Sequence, residues 1–237
     1  MGEGYPFDST LMSYVTSANI ACGFHAGDDA TMLQTAETAI AKGVAIGAHP
    51  GYRDREHFGR SNMHLPPESV YRIVTEQVND LARITAALGG KISHVKPHGA
   101  LYNQAAKDSE LAATVANAVF DFDADLILFG LANSHSITEA EKFGLRTASE
   151  VFVDRTYQSD GSLTLRSQPN ALINDTRKAI GQLLQMVLNQ TVTAVSGEII
   201  PIKADTICIH GDAPQALEFA RAVNEALVAR NIGIASF

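Results

Sequence analysis

Short apolar runs alternate along the chain with longer stretches whose apolar residues recur every three to four positions. Residues 18–22 read as a strand. Asp28 and Asp29 are placed to cap a helix that carries Met32, Ala36, Ala39 and Ile40 on one face and stops at Gly43. Residues 44–48 read as a second strand. A long helix follows Pro66-Pro67-Glu68, with Val70, Ile73, Val74, Val78, Leu81, Ile84 and Leu88 at helical spacing before Gly89-Gly90. Residues 92–95, 125–129, 147–153 and 206–209 read as further strands. Helices through Leu111 and Val119, Ile137 and Ala140, Ile173 and Val187, and Leu217 and Leu227 fall between and after them. Residues 191–203, broken at Ser196-Gly197, read as a hairpin. Strands alternating with helices imply a parallel sheet covered by helices. A doubly wound sheet and a barrel both satisfy that order, and the pattern alone does not separate them.

In either architecture, function collects at the C-terminal ends of the strands. This sequence loads those ends. The first strand runs into Cys22-Gly23-Phe24-His25-Ala26-Gly27-Asp28, the second into His49-Pro50-Gly51-Tyr52-Arg53-Asp54, and the third into Lys96-Pro97-His98-Gly99-Ala100-Leu101-Tyr102. The fifth carries Glu150 and ends in Asp154-Arg155, and the sixth ends in His210-Gly211-Asp212. One histidine after a strand is more often a plain loop residue than a catalyst, but four of the eight histidines close strands here, which favours a site. Lys96 could simply snorkel to solvent. Directly before Pro97-His98-Gly99, it reads better as facing a ligand. The loop 154–170 reads either as a solvated crossover or as a shaped lid, and Asp154-Arg155 with Asp160-Gly161 favours the lid. Cys22 beside His25 invites a nucleophilic reading, yet a cysteine in an apolar strand is usually inert packing.

Composition narrows the class. The chain has 237 residues, 46% hydrophobic and 19% charged, which fits one domain over residues 1–237. A net charge of -8 and the lack of any Lys/Arg cluster argue against nucleic acid as a partner. Cys22 and Cys208 fit buried free thiols in a reducing cytosol. No secretory signal and no apolar run of about 18 residues is present, so a cytoplasmic protein without a membrane partner is expected. No GxxxxGK[ST], GxGxxG or GxSxG motif occurs, so a nucleotide would be held by some other loop.

The runs 17–28, 47–52, 94–102, 150–155 with Asp160-Gly161, and 208–212 resemble the LamB/YcsF family in order and across nearly the whole chain. The resemblance implies an irregular seven-stranded (β/α) barrel of the glycoside hydrolase/deacetylase type. It also implies the A component of a three-part ATP-dependent 5-oxoprolinase, which works with subunits B and C and opens the lactam of 5-oxoproline to glutamate. Family members usually begin with a strand like DLNxDxGE, whereas this chain starts Met1-Gly2-Glu3-Gly4. The first barrel strand is therefore expected to be missing, with a gap between residues 18–22 and the last strand, and with Glu3 loosely anchored.

Such chemistry needs a cation for developing charge, a base for water and a clamp for the substrate carboxylate. The expected catalytic residues are Lys96 as the cation and Asp28 or Glu3 as the base, with His25 and His98 as partners. Arg155 or backbone amides would hold the carboxylate. His49 and His210 would shape the floor, and Asn19, Tyr102 and Glu150 would complete the substrate site. ATP is the expected cofactor, bound here or with the partner subunits. Two rivals remain open. One is a metal-dependent deacetylase-like hydrolase using His25, His49 and an Asp as ligands; the main reading assigns no metal ligand. The other is a non-catalytic component that passes substrate to its partners.

Overall fold

The computed structural model describes residues 1–212 and 215–237. Its elements in chain order are α1 (Asp8–Leu11), β1 (Ser17–Ala21), α2 (Asp29–Ala41), β2 (Ala45–His49), α3 (Pro67–Ala87), β3 (Ile92–Val95), α4 (Gly99–Ala105) and α5 (Ser109–Phe122). There follow β4 (Ile127–Leu131), α6 (His135–Lys142), β5 (Arg146–Phe152), α7 (Thr176–Asn189), β6 (Thr191–Thr193), β7 (Ile199–Pro201), β8 (Thr206–Cys208) and α8 (Ala216–Val228). No described helix is long and apolar enough to cross a membrane.

The main sheet has the order β1-β2-β3-β4-β5-β8, all parallel. Every strand sits beside the next one in sequence, with only the β6–β7 hairpin skipped. A doubly wound sheet reverses its order at a switch point. This order never reverses, so all crossovers turn the same way, and the sheet curls into a half-barrel. Six strands form it among the described residues, rather than a closed seven. Its edges are β1 and β8, the pair flanking the expected opening, and residues 232–235 and Phe237 line the cavity.

Local chemistry explains the helices. Asp28 caps α2 by accepting from the Thr31 backbone N–H at 2.8 Å, and Gly43, at φ +65°, ends it. Met32, Ala36 and Ala39 are buried, but Ile40 is exposed, at the margin of the apolar stripe. Along α3, Val70, Val74, Val78, Leu81 and Ile84 pack into the main core with Ile20, Ile46 and Val95 of the sheet. Pro67 fits the first turn, where its missing N–H would have no partner. The 191–203 hairpin is present, its β6 and β7 pairing antiparallel.

Three expectations need correction. The fourth strand begins at Ile127, because Asp123 and Asp125 form a turn in which the Asp123 carboxylate accepts from the Asp125 N–H. A short helix, α4, follows His98 directly, where the sequence pattern marks only the end of the third strand. Glu3 is not loose. The Met1 carbonyl accepts from Ala21 N–H at 2.9 Å and the Met1 ammonium donates to Asn19 O at 2.7 Å, so the leading residues pair along the free edge of β1.

Candidate functional site

The strand ends open into one cavity of about 810 Å³. Glu3, Asn19, His49, Lys96, His98, Tyr102, Glu150, Arg155 and His210 all line it. His25 lies directly behind the wall, its ring stacked on His98 at 3.8 Å between centroids. Asp28 is absent from the lining. It is exposed and occupied as the α2 cap, so it is no candidate base.

Two polar centres face the cavity. The first is built on β3, β5 and β8. Lys96 Nζ lies 2.6 Å from Glu150 Oε1 and 3.1 Å from Cys208 Sγ, and Tyr102 OH donates to Glu150 Oε2 at 2.8 Å. Burial alone would depress the Lys96 pKa. The Cys208 sulfur and the Glu150 carboxylate outweigh it and hold Lys96 above the ordinary lysine value. Burial also pushes the Cys208 thiol up to about 12, so it is uncharged at neutral pH.

The second centre is a histidine cluster from the ends of β1, β2 and β3. His49 Nδ1 meets Lys96 O at 2.6 Å, His98 Nε2 meets Phe58 O at 2.8 Å, and His98 Nδ1 lies 2.9 Å from His49 Nε2. Glu3 Oε1 sits 3.2 Å from His25 Nε2 and 3.7 Å from His98 Nδ1. Burial and the neighbouring rings hold His49 well below the usual imidazole range, and burial with His25 brings His98 down to about 3. Burial would raise Glu3, but the Met1 ammonium and the His25 and His98 rings outweigh it and bring the carboxyl to about 2. Neutral His49 and His98 rings therefore stand beside an ionised carboxylate. Glu3, His25, His49 and His98 each bring a ligand atom within 4.8 Å of the others, an arrangement that can hold a metal ion.

Other expected residues have different work. Arg155 is buried, and its guanidinium donates to Ala171 O and Thr164 O, tying the 154–170 loop together. His210 Nδ1 bonds Asp154 Oδ2 at 2.7 Å. Asn19 Oδ1 accepts from His94 Nε2 at 3.0 Å. Cys22 is buried, its thiol pushed up to about 12 by burial, which suits inert packing.

Sequence reasoning missed Arg60 and Arg166. Both line the cavity and approach Asp212, at 2.7 and 3.9 Å. They lie in loops far from any strand end, so position gave no signal. It also missed His94, whose place inside an apolar strand disguised it. His94 is buried and stacks on Phe129 at 4.1 Å.

The LamB/YcsF family profile matches residues 1–237. A protein of Erwinia tasmaniensis named as the A subunit of 5-oxoprolinase is 54% identical over 236 residues, covering 100% of this chain and 96% of its own. Proteins of the same name from Tolumonas auensis and Brevibacillus brevis are 53% and 52% identical, over 99% and 97% of this chain and 95% and 90% of theirs. The crystal structure of the lactam utilization protein from Thermus thermophilus superposes with a TM-score of 0.93 at 42% identity, covering 100% of this chain and 97% of that one. With the half-barrel and the crowded strand ends, these likenesses establish that the chain belongs to the LamB/YcsF family.

Proposed function

We propose that this chain is the A component of an ATP-dependent 5-oxoprolinase and opens the 5-oxoproline lactam to glutamate together with partner subunits B and C. The observation that carries the reading is the single cavity in which a buried lysine–carboxylate pair and the Glu3–histidine cluster face the same space. Relatives at 52–54% identity, each named as the A subunit of 5-oxoprolinase, support it.

Opening an unstrained lactam to an amino acid is unfavourable near neutral pH, which accounts for the ATP. In the proposed route, the lactam oxygen attacks the terminal phosphorus of ATP and releases ADP. Water then adds to the activated carbon, giving up its proton to a base. The ring C–N bond breaks, the nitrogen takes a proton, and a second water releases phosphate. Lys96 balances the negative charge that develops on oxygen, held in place by Glu150 and Tyr102. With Asp28 serving as a helix cap, Glu3 is the base, oriented by His25. Arg60 and Arg166 replace Arg155 as the clamp for the substrate carboxylate or the phosphates. ATP is bound in this cavity or shared with the partners, in a cytoplasmic complex.

The test is reconstitution: glutamate formation from 5-oxoproline, followed with and without ATP, with and without this chain, and with Lys96→Met. ATP-dependent turnover that vanishes without the chain and with Lys96→Met is expected. Unchanged turnover with Lys96→Met would leave a passive component. A second reading, a metal-dependent hydrolase that needs no ATP, is favoured by the Glu3–His25–His49–His98 gathering. ATP-independent turnover would be its mark.

A further inference from the structure

Two of the clustered histidines have their tautomers set by the backbone. A carbonyl oxygen only accepts, so His49 Nδ1, facing Lys96 O, and His98 Nε2, facing Phe58 O, both carry the ring hydrogen. The other two nitrogens, His49 Nε2 and His98 Nδ1, are therefore both lone pairs. They point at one another 2.9 Å apart in a buried wall. Lone pairs at that separation repel unless a cation joins them. The Glu3 carboxylate adds a further acceptor to the same space, 3.7 Å from His98 Nδ1. His25 brings a third imidazole. Its Nε2 donates to Glu3 Oε1 at 3.2 Å, while its Nδ1 is buried with no hydrogen-bond partner among the described residues, so moving the ring hydrogen to Nδ1 turns Nε2 into a lone pair for an ion.

We propose that Glu3, His25, His49 and His98 form a binding site for one divalent transition-metal ion of the zinc class in the wall of the cavity. Three imidazoles and one carboxylate suit such an ion. Magnesium and calcium favour all-oxygen shells. Ligand atoms about 2.0–2.1 Å from a tetrahedral ion stand about 3.3 Å apart. The four atoms lie within 4.8 Å of one another, so side-chain shifts of about an ångström complete the shell. The carbonyls of Lys96 and Phe58 on the distal nitrogens are the outer partners that orient imidazole ligands. Close backbone packs the rings: a Cβ added at Gly59 would stand 2.8 Å from His25 Cβ and 2.9 Å from His98 Cδ2. Glu3, His49 and His98 line the cavity, so when bound the ion supplies a Lewis acid next to the substrate space. The proposal concerns ion binding by this chain alone and does not rest on the ring-opening reading.

The test uses tag-free protein stripped with a chelator and then titrated with Zn²⁺ or Co²⁺ against a competing chelator, with bound metal counted by elemental analysis. One ion per chain is expected. Cobalt should give an intense visible band of a four-coordinate site. His49→Ala and Glu3→Gln should each weaken binding more than about 100-fold, beyond the loss usual for outer-shell changes. Circular dichroism confirms that each variant folds. Should His49→Ala fail to fold, the stoichiometry and cobalt spectrum of the unaltered chain decide the matter. Substoichiometric metal with no cobalt band, or equal affinity in folded variants, overturns the proposal and leaves a shared proton between His49 and His98. ATP-dependent ring opening is followed separately, by glutamate formation, and one ion per chain would make Glu3 its ligand rather than the base of that reaction.

Discussion

Lys96 and Glu150 form a buried charge pair, 6% and 2% exposed, completed by the Tyr102 hydroxyl. Removing one partner of such a pair leaves an uncompensated charge, at a cost of about 3–5 kcal/mol. Lys96→Met is therefore expected to lower unfolding free energy by that amount and to abolish turnover. Adding Glu150→Gln should restore most of the stability and none of the activity. Urea unfolding of the parent and the two variants checks this, and a Lys96→Met protein as stable as the parent would refute it. Asp28 behaves differently because its carboxylate caps a helix at the surface. Asp28→Ala should cost about 1 kcal/mol of stability and leave kcat unchanged. Glu3→Gln, by contrast, should abolish turnover in the same assay.

At the scale of elements, the loop after β2 matters because its backbone presses on the histidines. Gly59 has φ +65°, and an added Cβ would meet His25 and His98 below 3 Å. Gly43 also has φ +65°, but it ends α2 with nothing within 4 Å. The two glycines separate backbone strain from crowding of the site. Alanine at either position bears the left-handed conformation, worth about 1–2 kcal/mol. Only Gly59→Ala should also displace the rings, and a shift of about 1 Å is worth on the order of 100-fold in rate. Parallel melting and activity measurements on the two variants test the contrast. Equal activity would show that the loop yields without moving the histidines.

Across the whole molecule, burial of neutral histidines makes stability depend on pH. Burial, with Lys96 nearby, brings His94 down to about 3 from an ordinary value near 6.5. Below pH 6.5 the unfolded chain takes up a proton that folded His94 refuses. Its stabilising effect is full above 6.5 and fades as pH falls towards 3, by about 2 kcal/mol at pH 5. Glu3, at about 2 against 4.5, acts in the same direction in a lower window, its effect full above 4.5 and fading towards 2. His94→Gln should flatten the stability–pH curve between 6.5 and 5, as read by thermal melting across that range. An unaltered slope would mean that His94 is protonated in the folded state. The reading of an A component also predicts that the purified chain alone gives no 5-oxoproline turnover, and robust activity without partners would contradict it.

The repeating order of strands and helices was legible because apolar period and capping are local properties. Asp28, Gly43, Pro67 and Gly89 mark element ends with no help from tertiary contacts. The strand-end position of His25, His49, Lys96 and His98 was legible too, since parallel folds collect polar residues there. Local pattern could not decide between half-barrel and doubly wound sheet, because that depends on which strands pair across the intervening helices. Nor could it give the role of a polar side chain, which is set by what packs against it. Asp28 and Glu3 look alike as candidate bases in sequence. Folding leaves one in solvent on a helix end and brings the other, through a backbone pairing with β1, against His25. Arg155 and Arg166 likewise differ only in what surrounds them. Carbonyls of its own loop engage the first, while the second reaches the cavity wall near Asp212. The facing lone pairs of His49 and His98 exist only because two distant carbonyls, Lys96 O and Phe58 O, fix the opposite ring nitrogens, and that geometry belongs to the folded chain alone.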